Sequence, residues 1–374
     1  MIIKPIKTGL VNFKKCNLLE NRILIGIDIG SSLSKFIFVN KQNRCQLYDE
    51  STHHINFQYS IFKNEDIEKA LEWLKENAYI QEGTRYEIHC TGTGCLRNKK
   101  QIESTFELGL IFVQEGLALI AGHKIALEHC PLENLIHPPT SADELYEIDN
   151  NILKTMLTRM QKRINTDTNS NKTSLYPFVL GYWGSGSSIF FFDDDGKAQQ
   201  IGSFQNGGKS FLGMAKCLID SNDYDEIIAS ASKGNRKNID TLIKDILISD
   251  EKSPYGKFPP ELPVFQFGKC AENNQDLKYY SKDDLAMSLI CLESSQISSN
   301  CRNAALTTKT KKIYLSGNTF KSSLFHKEIL NRNLRHPIGV EYTFLDLGYA
   351  TALGAMFCVN QEGNVCEIHD LQLK

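Results

Sequence analysis

Two stretches with the same plan constrain this chain more than any other feature. Residues 24–39, LIGIDIGSSLSKFIFV, and residues 178–192, FVLGYWGSGSSIFFF, each place a Gly-Ser turn between two apolar runs. Short apolar runs bounded by turn residues are typical of buried β-strands, so each stretch predicts a strand–turn–strand unit. Both turns contain the string GSS. Because the unit recurs in the same context, the sequence predicts two related halves.

The remaining patterns predict an α/β protein with more than one domain. Strand-like runs alternate with helical stretches such as EGLALIAGHKIALEH, NIDTLIKDIL and DLAMSLICLESSQISSNCRNAAL, and 374 residues exceed what one core usually serves. A polar tract that ends in NTDTNSNKTS interrupts the pattern and is interpreted as a surface insertion. We therefore predict an N-terminal extension at residues 1–22, frayed at its start, a first domain at 23–175 with the insertion at 130–174, and a second domain at 176–374.

Composition excludes several classes of function. A formal net charge of -2 gives no general attraction to nucleic acid or to anionic membranes. The eleven cysteines form no CxxC pair, which predicts reduced thiols and a cytoplasmic location. No apolar run approaches the ~18 residues of a membrane-spanning helix. We expect small-molecule chemistry, with no nucleic-acid and no membrane partner.

The Gly-Ser turns are candidate phosphate-binding sites. Glycine and serine let backbone N–H groups point outward with no Cβ in the way, and two such turns facing each other can hold a polyphosphate. Asp28 lies two residues before the first turn, where a carboxylate can hold Mg²⁺ beside phosphate oxygens, and Lys35 can neutralise charge nearby. The alternative is that both strings mark ordinary hairpin turns and that Asp28 is a satisfied polar residue of a strand.

A second phosphate motif, the P-loop, is not expected. The string NGGKS at residues 206–210 contains the GKS that opens a helix in that motif. The glycine that the motif requires would lie at residue 203, which is Ser203. Lys209 therefore adds positive charge to a cleft or lies in solvent.

Taken in order, the motifs resemble those of one known family. They are IGIDIGSSLSKFIF, CTGTG, YPFVLGYWGSGSSI, NGGKSFLG, SKGNRKNIDTLIKDI, DLAMSLI, IYLSGN and GYATALGA. Over about residues 23–358 the chain resembles the eukaryotic-type (type II-like) pantothenate kinases. The resemblance implies two actin-like (ribonuclease H-like) domains of the sugar kinase and Hsp70 ATPase fold, with mixed sheets flanked by helices and a nucleotide cleft between them. It also implies a dimer and transfer of the ATP γ-phosphoryl group to pantothenate, the first step of coenzyme A biosynthesis.

The same resemblance assigns residues to the site. Asp28 falls on the family's metal aspartate and Ser188 on a serine near pantothenate. The positions that fall on nucleotide-binding motifs are Gly30, Ser31, Ser32 and Lys35 in the first loop, Gly184, Ser185, Gly186 and Ser187 in the second loop, Gly207 and Gly208 at a helix N-terminus, and Gly317 and Asn318 at the adenosine-side turn. Free N–H groups at that helix N-terminus favour an anion.

Two positions differ from the family at residues that the resemblance assigns to the reaction itself. Lys99 stands where the family has the glutamate that takes the proton from the pantothenate hydroxyl, and Gln200 stands where it has an arginine. A protonated lysine cannot accept a proton, and a neutral amide cannot offset charge that develops on the transferred group. Glu103, one helical turn beyond Lys99, is the candidate substitute base.

Three functions therefore remain open. The first is an active pantothenate kinase that uses ATP and Mg²⁺, with coenzyme A or an acyl ester as a possible inhibitor. The second is a catalytically deficient, nucleotide-binding subunit that regulates or completes a paralogue in a hetero-oligomer. The third is another small-molecule kinase of the same fold, which the family-specific stretch at residues 176–246 disfavours.

Overall fold

The computed structural model describes residues 4–14, 25–41, 48–49, 54–79, 87–137, 174–246, 260–272, 276–335 and 339–358. Strands of the first half are β1 Lys7–Lys14, β2 Ile25–Ile29, β3 Leu33–Phe38, β4 Tyr48–Asp49, β5 His54–Lys63, β6 Glu87–Thr91 and β7 Gly109–Phe112. They form one mixed sheet in the order β1-β5-β3-β2-β6-β7, with β4 beside β5. The pairs from β1 to β2 are antiparallel, and the two pairs from β2 to β7 are parallel.

A second mixed sheet repeats this plan. Its strands are β8 Phe178–Trp183, β9 Ser187–Phe192, β10 Ala198–Phe204, β13 Lys312–Ser316 and β14 Glu341–Leu345, in the order β10-β9-β8-β13-β14. The hairpin strands are again antiparallel and the last two pairs parallel. This order matches β5-β3-β2-β6-β7 of the first sheet strand for strand, as expected for two related halves. A small sheet pairs β11 Thr241–Leu242 with β12 Pro263–Phe265.

Helices flank both sheets. In the described residues they are α1 Ile67–Asn77, α2 Thr93–Arg97, α3 Lys99–Phe106, α4 Glu115–His129, α5 Gly208–Ile219, α6 Tyr224–Ala231, α7 Ile243–Ile246, α8 Gly268–Glu272, α9 Lys282–Thr308, α10 Ser323–Arg335 and α11 Ala350–Phe357. The predicted α/β class with mixed sheets flanked by helices is confirmed. None of these helices is long and apolar enough to cross a membrane.

Helices α4 and α11 cross at very short distance between the two sheets. A Cβ atom on Gly122 would lie 1.7 Å from the carbonyl oxygen of Ala350, and one on Gly354 would lie 1.7 Å from that of Ala118. Both glycines are therefore required by close backbone approach. Apolar side chains of both sheets join these helices in one buried cluster.

A buried histidine adds a polar link between the two halves. His123 of α4 donates from Nδ1 to the Leu119 carbonyl, and its Nε2 lies 2.8 Å from the Ser316 hydroxyl of β13. Burial lowers the pKa of His123 to about 4, so the ring is neutral and accepts the serine proton. The link therefore persists through the physiological pH range.

The structure differs from the sequence prediction at both ends of the chain. Residues 7–14, predicted as part of a frayed extension, pair along their whole length with β5. Helix α11, assigned by the predicted boundaries to the second domain, contacts β2 and β6 of the first sheet. The physical reason is the glycine crossing, which lets α11 lie against α4 rather than on the second sheet.

Two internal segments can also be compared with the sequence prediction. The stretch NIDTLIKDIL, predicted as one helix, contains the short strand β11 and the single turn α7, because Thr241 pairs with β12 instead. Of the predicted insertion, Leu132–Asn134 forms a 3₁₀ turn and Ile136 bridges to Leu345 of β14. Residues 138–173 lie outside the described part of the chain.

Candidate active-site cleft

The first Gly-Ser turn joins β2 to β3 and brings a buried ion pair beneath it. Asp28 and Lys35 are register partners on the antiparallel pair, so both side chains point to one face. Lys35 Nζ donates to Asp28 Oδ2 at 2.7 Å, and the two residues are 8% and 2% exposed. Gly30 N–H donates to the Leu33 carbonyl at 3.0 Å, which closes the turn.

The charge of Lys35 is maintained by its partner. Burial alone would lower the pKa of this ammonium, but the charge of Asp28 and its hydrogen bond raise the pKa above its ordinary range. Lys35 is therefore a permanent cation beneath the first loop. It neutralises one oxygen of Asp28 and leaves the other available.

That second oxygen fits a metal ion. Asp28 Oδ1 is buried and has no hydrogen-bond partner, although leaving such an oxygen without one is costly. A Cβ atom on Gly92 would lie 2.8 Å from it, so only glycine leaves this space open. Mg²⁺ prefers one or two carboxylates together with water and phosphate oxygens. Asp28 is thus suited to hold Mg²⁺, which would neutralise charge on the phosphates of a nucleotide.

The second Gly-Ser turn joins β8 to β9 and is closed by its own backbone and by α5. Gly184 N–H donates to the Gly186 carbonyl at 2.9 Å, and Ser187 Oγ donates to the Asn206 carbonyl at 2.6 Å. Across the cleft, the hydroxyls of Ser31 and Ser185 lie 2.7 Å apart. The two predicted phosphate loops therefore converge on one point.

The glycines at the start of α5 act differently from the prediction. Their N–H groups were expected to be free for an anion, but Gly208 N–H donates to the Gly184 carbonyl at 2.8 Å, and Lys209 N–H donates to Ser185 O at 3.1 Å. A Cβ atom on Gly207 would lie 2.7 Å from Gly186 Cα. These glycines let α5 pack against the second loop, and the N–H of Gly208 is already used by that loop.

A cavity of about 520 Å³ lies between the two loops. Predicted residues that line it are Asp28, Gly30, Ser31, Ser32, Lys35, Gly184, Ser185, Gly186, Ser187, Ser188, Gln200 and Asn318. Gly317 supports the cavity from behind, with φ +126° and its Cα so close to the Trp183 carbonyl that a Cβ atom would lie 2.0 Å away. Sequence motifs from both halves thus meet in one cleft.

The two departures from the family lie in different places. Gln200 lines the cleft, and its Nε2 lies 3.4 Å from Ser188 Oγ. Lys99, at the start of α3, is 52% exposed at its side chain, and its Nζ lies 3.7 Å from Glu103 Oε1 on the helix surface. Neither Lys99 nor Glu103 is among the residues that line the cavity. Glu103 therefore does not reach the cleft as a substitute base in this structure, because α3 points both side chains outward.

Sequence reasoning missed another carboxylate in the cleft. Glu115, the first residue of α4, lines the cavity together with Asp28. Burial raises the pKa of Glu115, the charge of Asp28 raises it further, and Lys35 opposes both. The available signal was an acidic residue three positions after a parallel strand, since β7 ends at Phe112 and the ends of parallel strands commonly line sites.

Two mixed sheets of matching strand order, with facing Gly-Ser hairpins and a cleft between them, define an α/β protein built from two similar halves. The Fumble family model matches residues 24–357. The chain belongs to this family, that of the pantothenate kinases.

Individual relatives are distant. Pantothenate kinase 1 of Arabidopsis thaliana is 25% identical over 309 residues, which cover 78% of this chain and 73% of the relative. Pantothenate kinase of Schizosaccharomyces pombe is 21% identical over 360 residues, covering 91% and 83%. The 4'-phosphopantetheine phosphatase of Mus musculus is 26% identical over 301 residues, or 75% of this chain and 33% of that protein. A ROK family glucokinase structure from Streptomyces griseus, with glucose and AMPPNP, aligns over 89% of this chain and 98% of its own at 14% identity and a TM-score of 0.41.

Proposed function

We propose that this protein binds ATP with Mg²⁺ in the cleft and takes part in the phosphorylation of pantothenate to 4'-phosphopantothenate, with low turnover by the chain alone. Support for nucleotide binding comes from the convergent loops and from the unpartnered oxygen of Asp28. Support for the substrate comes from membership of the pantothenate kinase family. The reaction moves the γ-phosphoryl group of ATP to a hydroxyl oxygen, and the hydroxyl proton must leave to a base.

Low turnover is inferred from Gln200, the observation that carries this proposal. Its amide occupies the cleft beside Ser188, where the resemblance implies an arginine. Phosphoryl transfer is accelerated mainly by positioning and by cations that offset charge on the transferred oxygens. Loss of one such group typically costs on the order of 10²-fold in rate.

Proton transfer is also unsupported at its usual position. Lys99 is a cation paired with Glu103 outside the cleft. A side chain in that state neither reaches the acceptor hydroxyl nor takes its proton, because a general base must lie within hydrogen-bond distance of the proton that it removes. Glu115 is the remaining carboxylate in the described cleft lining that is not held by an ion pair to Lys35.

The same observations favour a second candidate, a nucleotide-binding subunit that completes a paralogue. A partner subunit with a glutamate and an arginine at the corresponding positions would supply the missing groups to a shared assembly. Such a chain would bind Mg-ATP without converting pantothenate by itself.

The test compares the purified chain with variants in an assay of labelled pantothenate and Mg-ATP. We expect turnover near background for the unmodified chain and a gain of about 10²-fold for Gln200→Arg. The Lys99→Glu/Gln200→Arg double variant should gain no more than Gln200→Arg, because residue 99 lies outside the cleft. Lys100→Glu, at the neighbouring exposed position of α3, is the matched control and should change nothing.

Other results of this assay would change the conclusion. Robust turnover by the unmodified chain would overturn the low-turnover proposal and would make Glu115 the first residue to replace. Restoration only on adding a protein that copurifies from the native cell would support the subunit candidate. A chain that neither binds Mg-ATP in calorimetry nor gains activity in the double variant would refute both.

A further inference from the structure

Behind the second phosphate loop lies an acidic residue that the proposed chemistry does not use. Glu293, in the middle of α9, is 1% exposed. The indole Nε1 of Trp183 donates to its Oε1 at 3.0 Å, whereas Oε2 is buried with no hydrogen-bond partner. A buried carboxylate oxygen without a partner costs free energy, so its presence calls for a role.

Trp183 connects this carboxyl to the cleft. It is the last residue of β8 and directly precedes the second loop at residues 184–186. The hydroxyl of Thr319 lies 3.4 Å from its carbonyl oxygen, and Gly317 packs on the same carbonyl. Its ring stacks on Phe204, which lines the cavity, with 6.5 Å between centroids. Movement of Trp183 would therefore displace the second loop, the adenosine-side turn and the cavity wall, all of which it contacts.

Helix α9 also holds the far side of the loop. Gln296, three residues after Glu293 and so on the same helix face, accepts a hydrogen bond from the amide of Asn206. The carbonyl of Asn206 in turn accepts from Ser187 Oγ at 2.6 Å. One face of α9 thus holds Trp183 before the second loop by a direct hydrogen bond and Ser187 after it through Asn206.

We propose that Glu293 is a positioning residue of the second phosphate loop, and that its ionised form, by holding Trp183 more firmly, increases the affinity of the cleft for Mg-ATP. This inference rests on the proposed nucleotide binding. A hydrogen bond to an ionised acceptor is roughly twice as strong as a neutral one, and the difference of about 1 kcal/mol corresponds to about five-fold in an equilibrium constant.

The surroundings of Glu293 place its titration in the relevant range. Burial raises its pKa to about 7, and the hydrogen bond from Trp183 opposes that rise. Glu293 forms no ion pair in the described part of the chain. Among the charged groups on elements around α9, Arg236 pairs with both Asp240 and Glu328. Lys209 and Lys216 on α5 and Asp225 and Glu226 on α6 are exposed, and Lys312 on β13 donates to the Leu175 carbonyl. On α10, Lys327 and Arg332 are half-buried, and His326 is neutral because burial lowers its pKa to about 4.

The first experiment measures Mg-ATP affinity of the full chain by calorimetry at pH 6 and pH 8. We compare it with Glu293→Gln, which keeps an acceptor oxygen but cannot ionise, and with Glu68→Gln, an exposed control on α1. Ionisation of ATP itself cancels in the comparison. We expect the ratio of affinities, unmodified chain over Glu293→Gln, to rise about three-fold from pH 6 to pH 8, because the ionised fraction of Glu293 rises from about one tenth to about nine tenths, and the control to follow the unmodified chain.

A second measurement uses the fact that the chain has only two tryptophans. In a Trp73→Phe background the emission reports Trp183 alone, without any ligand. We expect this emission to titrate with a midpoint near 7, because the neighbouring carboxyl changes charge there, and to be flat when Glu293→Gln is added. This readout also serves if Glu293→Gln fails to fold, since the Trp73→Phe chain alone shows the titration.

The outcomes separate the two proposals. If the unmodified chain does not bind Mg-ATP, the proposed function fails, whereas the emission titration still tests the ionisation of Glu293. If binding occurs and the affinity ratio is the same at both pH values, Glu293 has no positioning role. Flat Trp183 emission from pH 6 to pH 8 overturns the inference as well.

Discussion

The buried pair of Asp28 and Lys35 gives the sharpest test of how this site is built. Replacing Asp28 by Ala leaves Lys35 as an ammonium that is 8% exposed and has lost its partner. Breaking a buried ion pair from one side costs roughly 3–5 kcal/mol, because an uncompensated charge remains in the interior. We therefore expect Asp28→Ala to lower the free energy of unfolding by about 3–5 kcal/mol.

The double variant Asp28→Ala/Lys35→Met should recover most of that loss. Removal of both charges leaves no unpaired group, and such replacements are often close to neutral. The coupling energy from the cycle, measured by urea unfolding of the two single variants and the double variant, should therefore be about 3 kcal/mol in favour of the pair.

Nucleotide binding gives the second arm of this test. A ligand at 100 times its dissociation constant stabilises the folded state by about 2.7 kcal/mol. We expect Mg-ATP to raise the unfolding free energy of the unmodified chain in this way and to have no effect on the recovered double variant, which folds but lacks the metal carboxylate. Additive losses in the cycle would refute the coupled pair, and normal Mg-ATP binding by the double variant would refute the metal role of Asp28.

Three further predictions concern two glycines and the ionisation of Glu293. Gly186→Val should abolish Mg-ATP binding, because bound phosphate must approach the backbone at residue 186. The melting temperature should not change, because a Cβ atom at this residue meets only a carbonyl oxygen 3.9 Å away. The control Gly213→Val, on an open helix face, should bind Mg-ATP normally. Gly122→Ala should lower the unfolding free energy by about 3 kcal/mol or more, because its Cβ atom would collide with the Ala350 carbonyl. Unfolding free energy of the unmodified chain should fall by about 3 kcal/mol between pH 4.5 and pH 7, relative to Glu293→Gln, because the folded state holds a proton on Glu293 that the unfolded state releases.

Each of these has a contradicting result. Full binding by Gly186→Val would show that phosphate does not approach the second loop. An unchanged melting temperature for Gly122→Ala would mean that α4 and α11 can separate without cost. Equal pH dependence of stability in the unmodified chain and in Glu293→Gln would show that residue 293 ionises alike in the folded and unfolded states.

The local sequence was sufficient to predict elements whose hydrogen-bond partners lie close by in the chain. The apolar runs around each GSS string predicted both hairpins, and the run from Glu115 to His129 predicted α4 within its observed bounds. Asp28 could be placed beside the first loop because hairpin register follows from the turn alone. The match of the two sheet orders likewise follows from the repeated unit.

What the sequence by itself determined is therefore the class of fold, the two loops and the family. Tertiary structure decided which distant residues meet. Residues 7–14 became a strand because β5 offered an unpaired edge, and α11 left the second half because Gly122 and Gly354 allow backbones to touch. Lys99 was excluded from the cleft, and Glu115 included, by the direction in which each helix starts. The bond from Trp183 to Glu293 joins positions 110 apart, which no local period encodes, because such contacts depend on the packing of a helix against a sheet.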